Sequence, residues 1–313
     1  MTGAAHALPQ PPAAMPRADY LRALAVVLIW GLNFVVMKWG LAGLSPMLLG
    51  TLRFCVAALP FVLFIPRPAL PARYWLGYGL VQGLGQFGLL FWALSVGMTA
   101  GMASVVMQSQ AFFTMALAAP LLGERARPQQ WAGLVVATIG LLAIGLSHGE
   151  GPGQMTLIGF VLTLGAAFMW ASSNLVVRLA VRHTPNYDPF AFIVWSSLAP
   201  ILPFALLAVG FDGLGGEHGV LAQLGSLNNA GIGSVLYLAL LATLAAYTLW
   251  TRLLKRHAAA RVVPFSLLVP VVGLWAAAAA FGERPSPAQW AGTIAVLAGL
   301  LINQWGGRSL GRR

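Results

Sequence analysis

The chain has little that ionises and almost nothing from which a catalytic centre could be built. Only 8% of its 313 residues are charged and only seven are acidic, whereas soluble domains carry roughly a quarter charged residues. That balance excludes an ordinary water-soluble domain. There is one cysteine, Cys55, inside an apolar stretch, so no internal disulfide can form and redox chemistry says nothing about compartment. Four histidines (His148, His183, His218, His257) read as loop residues, and His6 lies in a Pro- and Ala-rich leader. No phosphate loop, metal-ligand cluster or nucleophile–base pair is present, which predicts no cofactor, no bound metal and no enzyme activity. Nor does any Asp, Glu or His sit in the middle of an apolar stretch. A proton-coupled exporter of organic cations, which needs a membrane-buried carboxylate, is therefore excluded.

What the chain does have is hydrophobic length. Apolar residues make up 59% of it, in stretches of roughly 20 residues, each long enough to cross a hydrocarbon core of about 30 Å as a helix. Ten such spans are expected, at about 20–38, 45–65, 74–95, 101–122, 129–146, 156–180, 189–210, 230–250, 262–281 and 287–306. Runs this long exclude the short alternating strands of a β-barrel. Residues 1–19 are expected to form a disordered leader and 307–313 a basic tail.

Charge distribution fixes the expected topology. With both termini and the even-to-odd loops on one side, that side collects fifteen of the eighteen Lys and Arg, leaving Lys38 and Arg284 opposite and Arg53 within a span. Cytoplasmic loops are the ones enriched in Lys and Arg, so both termini are predicted to be cytoplasmic. The net charge of +11 is then a topology signal with anionic lipid as its partner, not the footprint of a nucleic-acid site. Nothing implies an obligate protein partner.

The segment GERARPQQWAG at 123–133 returns as GERPSPAQWAG at 282–292, with eight of eleven positions identical. The chain is thus expected to be two copies of one unit, 20–146 and 156–306. Five spans per copy is an odd number, so the second copy enters the membrane from the opposite face, and inverted repeats of this kind build alternating-access carriers. The predicted fold is all-α: a polytopic membrane protein of ten transmembrane helices in two inverted five-helix repeats. Pro128 and Pro287 open helices where a missing N–H costs nothing. Trp131 and Trp290 suit headgroup depth. Glu124 and Glu283 are read as structural corner carboxylates that pair with nearby Arg and fix helix ends. A second echo joins Trp30–Asn33 to Trp170–Asn174. An amide at membrane depth must be paired, and it serves either as interhelical glue or as a substrate contact.

WGLNFVVMKWGL (30–41), LTLGAAFMWASSN (162–174), SLLVPVVGL (266–274) and both GER…QWAG corners resemble the EamA family of the drug/metabolite transporter superfamily, from about residue 20 to 305. In detail the chain is similar to bacterial cysteine and O-acetylserine exporters. The resemblance implies a bacterial inner-membrane exporter of a small polar metabolite, such as an amino acid, with a central cavity that opens alternately to each side. Aromatic amino acids or other metabolites and drugs are the alternative cargo. A membrane-embedded enzyme or a non-transporting sensor are the competing classes. One departure is that Gln108 and Gln110 have apolar and Pro-rich counterparts in span 9, so the two halves of the site are chemically unequal.

Arg53 is the sharpest candidate. An arginine near mid-depth costs roughly 2.5–3.5 kcal/mol on insertion scales and cannot shed its proton. It is either an anchor for a substrate carboxylate or a structural arginine bound to backbone carbonyls or Asn33. Lys38 is expected to snorkel to the interface. Helix faces group the other candidate lining residues: Gln82 with Gln86, Ser104 with Gln108, Gln110 with Thr114, Trp170 with Asn174, and Thr243, Tyr247 and Thr251 along span 8. A substrate amine would rest on aromatic faces and amide oxygens.

Overall fold

The computed structural model describes residues 15–123, 127–149, 154–257 and 259–305, and these residues form helices and connecting turns. The long helices are α1 (Arg17–Gly40), α2 (Pro46–Val62), α3 (72–95), α4 (Ala100–Leu121), α5 (Pro128–Leu146), α6 (Leu157–His183), α7 (Pro189–Asp212), α8 (Asn229–Arg256), α9 (Val263–Phe281) and α10 (Pro287–Trp305). A short helix, Val220–Gly225, lies in the connection between α7 and α8. Seven of these helices are long and apolar enough to cross a membrane. Of the rest, α2 is apolar but shorter, and α3 and α10 are diluted by Gly and Gln. The chain is a multi-pass helical membrane protein. α1 begins at Arg17, inside the stretch that composition assigns to the leader, and His183 closes α6 rather than lying in a loop.

Helix ends follow local chemistry. Ser45 and Thr156 cap α2 and α6 by accepting hydrogen bonds from Leu48 N and Gly159 N, satisfying amides that have no helical partner. α4 and α9 both end on a glycine in the left-handed region, Gly123 at φ 69° and Gly282 at φ 65°, which only glycine adopts without a Cβ penalty.

The backbone departs from α-geometry at paired places. π-helix occupies Gly79–Gln86 in α3 and Tyr237–Ala245 in α8. Tight 3-10 turns occupy Met107–Ser109 in α4 and Val263–Leu268 in α9. The 159-residue offset between the corner motifs (282 − 123) carries each departure onto its counterpart to within a few residues. Packing repeats in the same way. α1 lies against α8 and α9 as α6 lies against α3 and α4; α2 meets α8 as α7 meets α3; α2–α7, α4–α9 and α5–α10 are each paired directly. Gly133 sits against Gly299 and Gly140 against Gly292, an antiparallel register in which an added Cβ would come within 2.5–2.6 Å of a backbone oxygen. Some contacts break the exchange. α1 packs on the start of α4 and on the end of α3, while the equivalent pairs, α6 with α9 and α6 with α8, make no comparable contact among the described residues.

Candidate functional site

Between the two halves lies a cavity of about 320 Å³, at the small end of ligand-pocket sizes. Trp30, Asn33, Arg53, Gln86, Phe87, Gln108, Gln110, Trp170, Asn174 and Tyr247 all border it. Its wall continues to Tyr187, Leu254 and Val263, at the end of the bundle that carries Arg178, Arg182, Lys255 and Arg256. That is also the end where the α6–α9 contact is missing.

The first half supplies the arginine and four of the five amides, Asn33, Gln86, Gln108 and Gln110. Arg53 on α2 has no accessible surface. Its Nε and Nη2 both donate to Thr243 Oγ1 at 3.1 and 2.8 Å, and the Phe87 ring lies 3.7 Å from the guanidinium carbon. Nη1 has no hydrogen-bond partner, and no carboxylate pairs with Arg53 among the described residues. Thr243 in turn donates to Leu238 O at 2.8 Å, five residues back. The π-geometry of α8 supplies that spacing, and π-segments recur at functional sites.

Gln82, in the π-segment of α3, donates to Tyr247 Oη at 2.7 Å and lies within hydrogen-bond reach of Ser173 Oγ. This chain runs behind the cavity wall and holds the phenol in place, which leaves the Tyr247 O–H directed away from Gln82. Trp30 donates to Ala242 O at 3.3 Å and stands 5.1 Å from the Tyr247 ring and 5.4 Å from Trp250. These three aromatics make one wall. Tyr187, in the connection before α7, has its phenol pushed above the usual value by burial and remains neutral.

The two echoed asparagines differ. Asn174 donates to Gln110 Oε1 at 2.9 Å and to Thr114 Oγ1 at 3.1 Å, an interhelical bond between α6 and α4. Asn33 makes only a 3.8 Å contact with Met37 Sδ, and its Oδ1 has no partner. Gln86 Oε1 likewise has none. Gln108 donates to Ser266 O at 3.1 Å, in the 3-10 turn of α9.

Glu283 lies outside the cavity. Its carboxylate accepts from Ala100 N and Gly101 N, both at 2.9 Å, and pairs with Lys38 Nζ at 3.0 Å. It therefore fixes the start of α4, where helix amides carry partial positive charge, through a lysine rather than the expected arginine. Lys38 is held in this pair rather than snorkelling free. Glu124 lies outside the described residues. Sequence reasoning grouped Thr243 with Tyr247 but missed its pairing with Arg53 across 190 residues, and it left Trp30, Trp250 and Phe87 out of the candidate lining.

Two structurally matched helical halves around a polar and aromatic cavity are the build of a membrane carrier. The chain belongs to the EamA-like transporter family, whose model matches residues 19–146 and again 157–304. It is 45% identical to a probable amino-acid metabolite efflux pump of Salmonella typhimurium, over 94% of this chain and 97% of that one. A protein of Escherichia coli with the same description is 41% identical, over 93% and 96%. A probable terminal-alkyne amino-acid exporter of Streptantibioticus cattleyicolor is 27% identical, over 96% of each. A crystal structure with 20% identity superposes with a TM-score of 0.63, covering 94% of this chain and 98% of that one, and shares the fold.

Proposed function

We propose that the chain exports a small amino acid or amino-acid metabolite, of the class of cysteine or O-acetylserine, across the bacterial inner membrane by alternating access. Ten helices cross the membrane as two inverted five-helix repeats, with both termini in the cytoplasm and the cavity at their junction. One observation carries the cargo class: a buried, permanently charged Arg53 borders a small cavity lined by amide, hydroxyl, aromatic and aliphatic side chains, with no carboxylate among the described residues to neutralise it. An anionic group on the cargo answers that charge. Phe87 covers one face of the guanidinium, so the carboxylate reaches Nη1 when Phe87 turns aside. The names of the relatives support amino-acid cargo. The Lys and Arg of the connecting segments support the orientation, and the half-exchange symmetry of the packing supports the inversion.

The test is a panel of labelled amino acids offered to membrane vesicles enriched in the protein. Saturable transport of small neutral amino acids, absent from control vesicles, is expected. Vesicles that move none of the panel, but move an organic cation, would overturn the reading.

A further inference from the structure

The repeat is structurally even but chemically lopsided, and the lopsidedness falls on particular atoms. Asn174 is satisfied because α4 presents Gln110 and Thr114 to it. α1 meets α9 as α6 meets α4, and the positions equivalent to 110 and 114 are 269 (110 + 159) and 273 (114 + 159). These are Val269 and Gly273, and neither side chain can hydrogen-bond. Asn33 is thereby left with an amide oxygen that nothing among the described residues engages. Gln86 is a second case of inequality: its oxygen is also without a partner, and the equivalent position in the other half, 245 (86 + 159), carries Ala245 and no amide. Buried polar atoms are nearly always paired. Here three residues that border one cavity each carry such a buried orphan: the oxygens of Asn33 and Gln86 and the Nη1 of Arg53.

We propose that these three orphans form a template for an α-amino acid zwitterion, with Asn33 and Gln86 accepting from the substrate ammonium while Arg53 takes the carboxylate. This rests on the exporter reading above. Two acceptors and a charged donor match the two poles of a zwitterion, and the Trp30–Tyr247 wall offers the ammonium a π-face. The terminal torsions of Asn and Gln are broad, so each amide turns its oxygen into the cavity without backbone movement. No protein carboxylate takes part, so recognition of the amine depends on these neutral oxygens. Asn174, Gln110 and Thr114 are assigned to helix packing and not to the substrate.

The experiment uses purified protein in liposomes, labelled O-acetyl-L-serine as substrate and 3-acetoxypropionate, its des-amino analogue, as competitor. In the wild type the analogue is expected to compete at least about tenfold more weakly than unlabelled O-acetyl-L-serine, the loss expected from unpaired buried acceptors. In Asn33→Leu the KM for O-acetyl-L-serine should rise and the two compounds should approach equal potency. Asn174→Leu should lower thermal stability and leave the ratio of potencies as in wild type. Equal competition by the analogue on the wild-type protein overturns the template without requiring any variant to fold, and leaves the exporter reading standing. Failure of the wild type to take up any amino acid overturns both.

Discussion

Among single residues, Arg53 carries the only positive charge that borders the cavity among the described residues. Its position in a span was visible at once, because a lone guanidinium in an apolar run has few explanations. Its partner was not. Thr243 lies on another helix in the other half, and its hydroxyl is aimed by a π-segment that a 3.6-residue period does not reveal. The structure adds Thr243 to both original alternatives, since two guanidinium nitrogens are held structurally and the third is free. Arg53→Lys should cut uptake at least about tenfold, because a single ammonium cannot hold Thr243 and a carboxylate in the same fork geometry. Arg53→Gln should abolish amino-acid uptake yet still accumulate in the membrane, since it removes a charge that costs about 2.5–3.5 kcal/mol to insert. Membrane yield and uptake measured on the same preparations check both. Normal uptake by the glutamine variant would remove Arg53 from the site. Glu283 acts differently. Glu283→Gln forfeits the Lys38 pair and half of the anionic cap on α4, and should cost about 1–2 kcal/mol of stability, read as a lower thermal midpoint. Lys38→Met should cost less, because Lys38 is partly exposed to solvent.

At the scale of elements, the spans were legible because hydrophobic length is a strong signal and turn residues punctuate it. The corner motifs also located the helix ends, since a glycine before Glu and a proline after it have fixed backbone roles. Irregularities within the spans were not legible. Nothing in GLVQGLGQ or YLALLATLA announces π-geometry, which is set by packing against neighbouring helices. Nor could a face count decide that Asn174 is glue while Asn33 is not, because the difference lies in what a third helix presents to each. The crossing of α5 on α10 gives the element-scale test. Gly292→Leu would place a side chain where a Cβ alone already meets Gly140 O at 2.6 Å. Overpacking of this kind costs about 1–3 kcal/mol or more, so the variant should show a lower thermal midpoint and reduced membrane yield. A variant as stable as wild type would mean that the two helices do not need their close approach.

For the whole molecule, each half repeats most of the other's packing, and the contact of α1 with the start of α4, which α6 and α9 do not match among the described residues, describes a carrier closed at one end and open at the other. The closed end carries the Glu283 junction; the open end carries the basic loops, so the cavity faces the proposed cytoplasm. Reporter fusions at His148 or Gly215 should read outside and those at Arg256 inside, and a cytoplasmic signal at Gly215 would contradict ten crossings. If this cavity carries amino acids from one side to the other, counterflow will show it. Liposomes holding the purified protein and preloaded with unlabelled O-acetyl-L-serine are diluted into trace labelled O-acetyl-L-serine. Label should accumulate transiently inside, above the level in protein-free liposomes, and Arg53→Gln should abolish the accumulation. Accumulation that is no greater than in protein-free liposomes, or that persists unchanged in the variant, would contradict it.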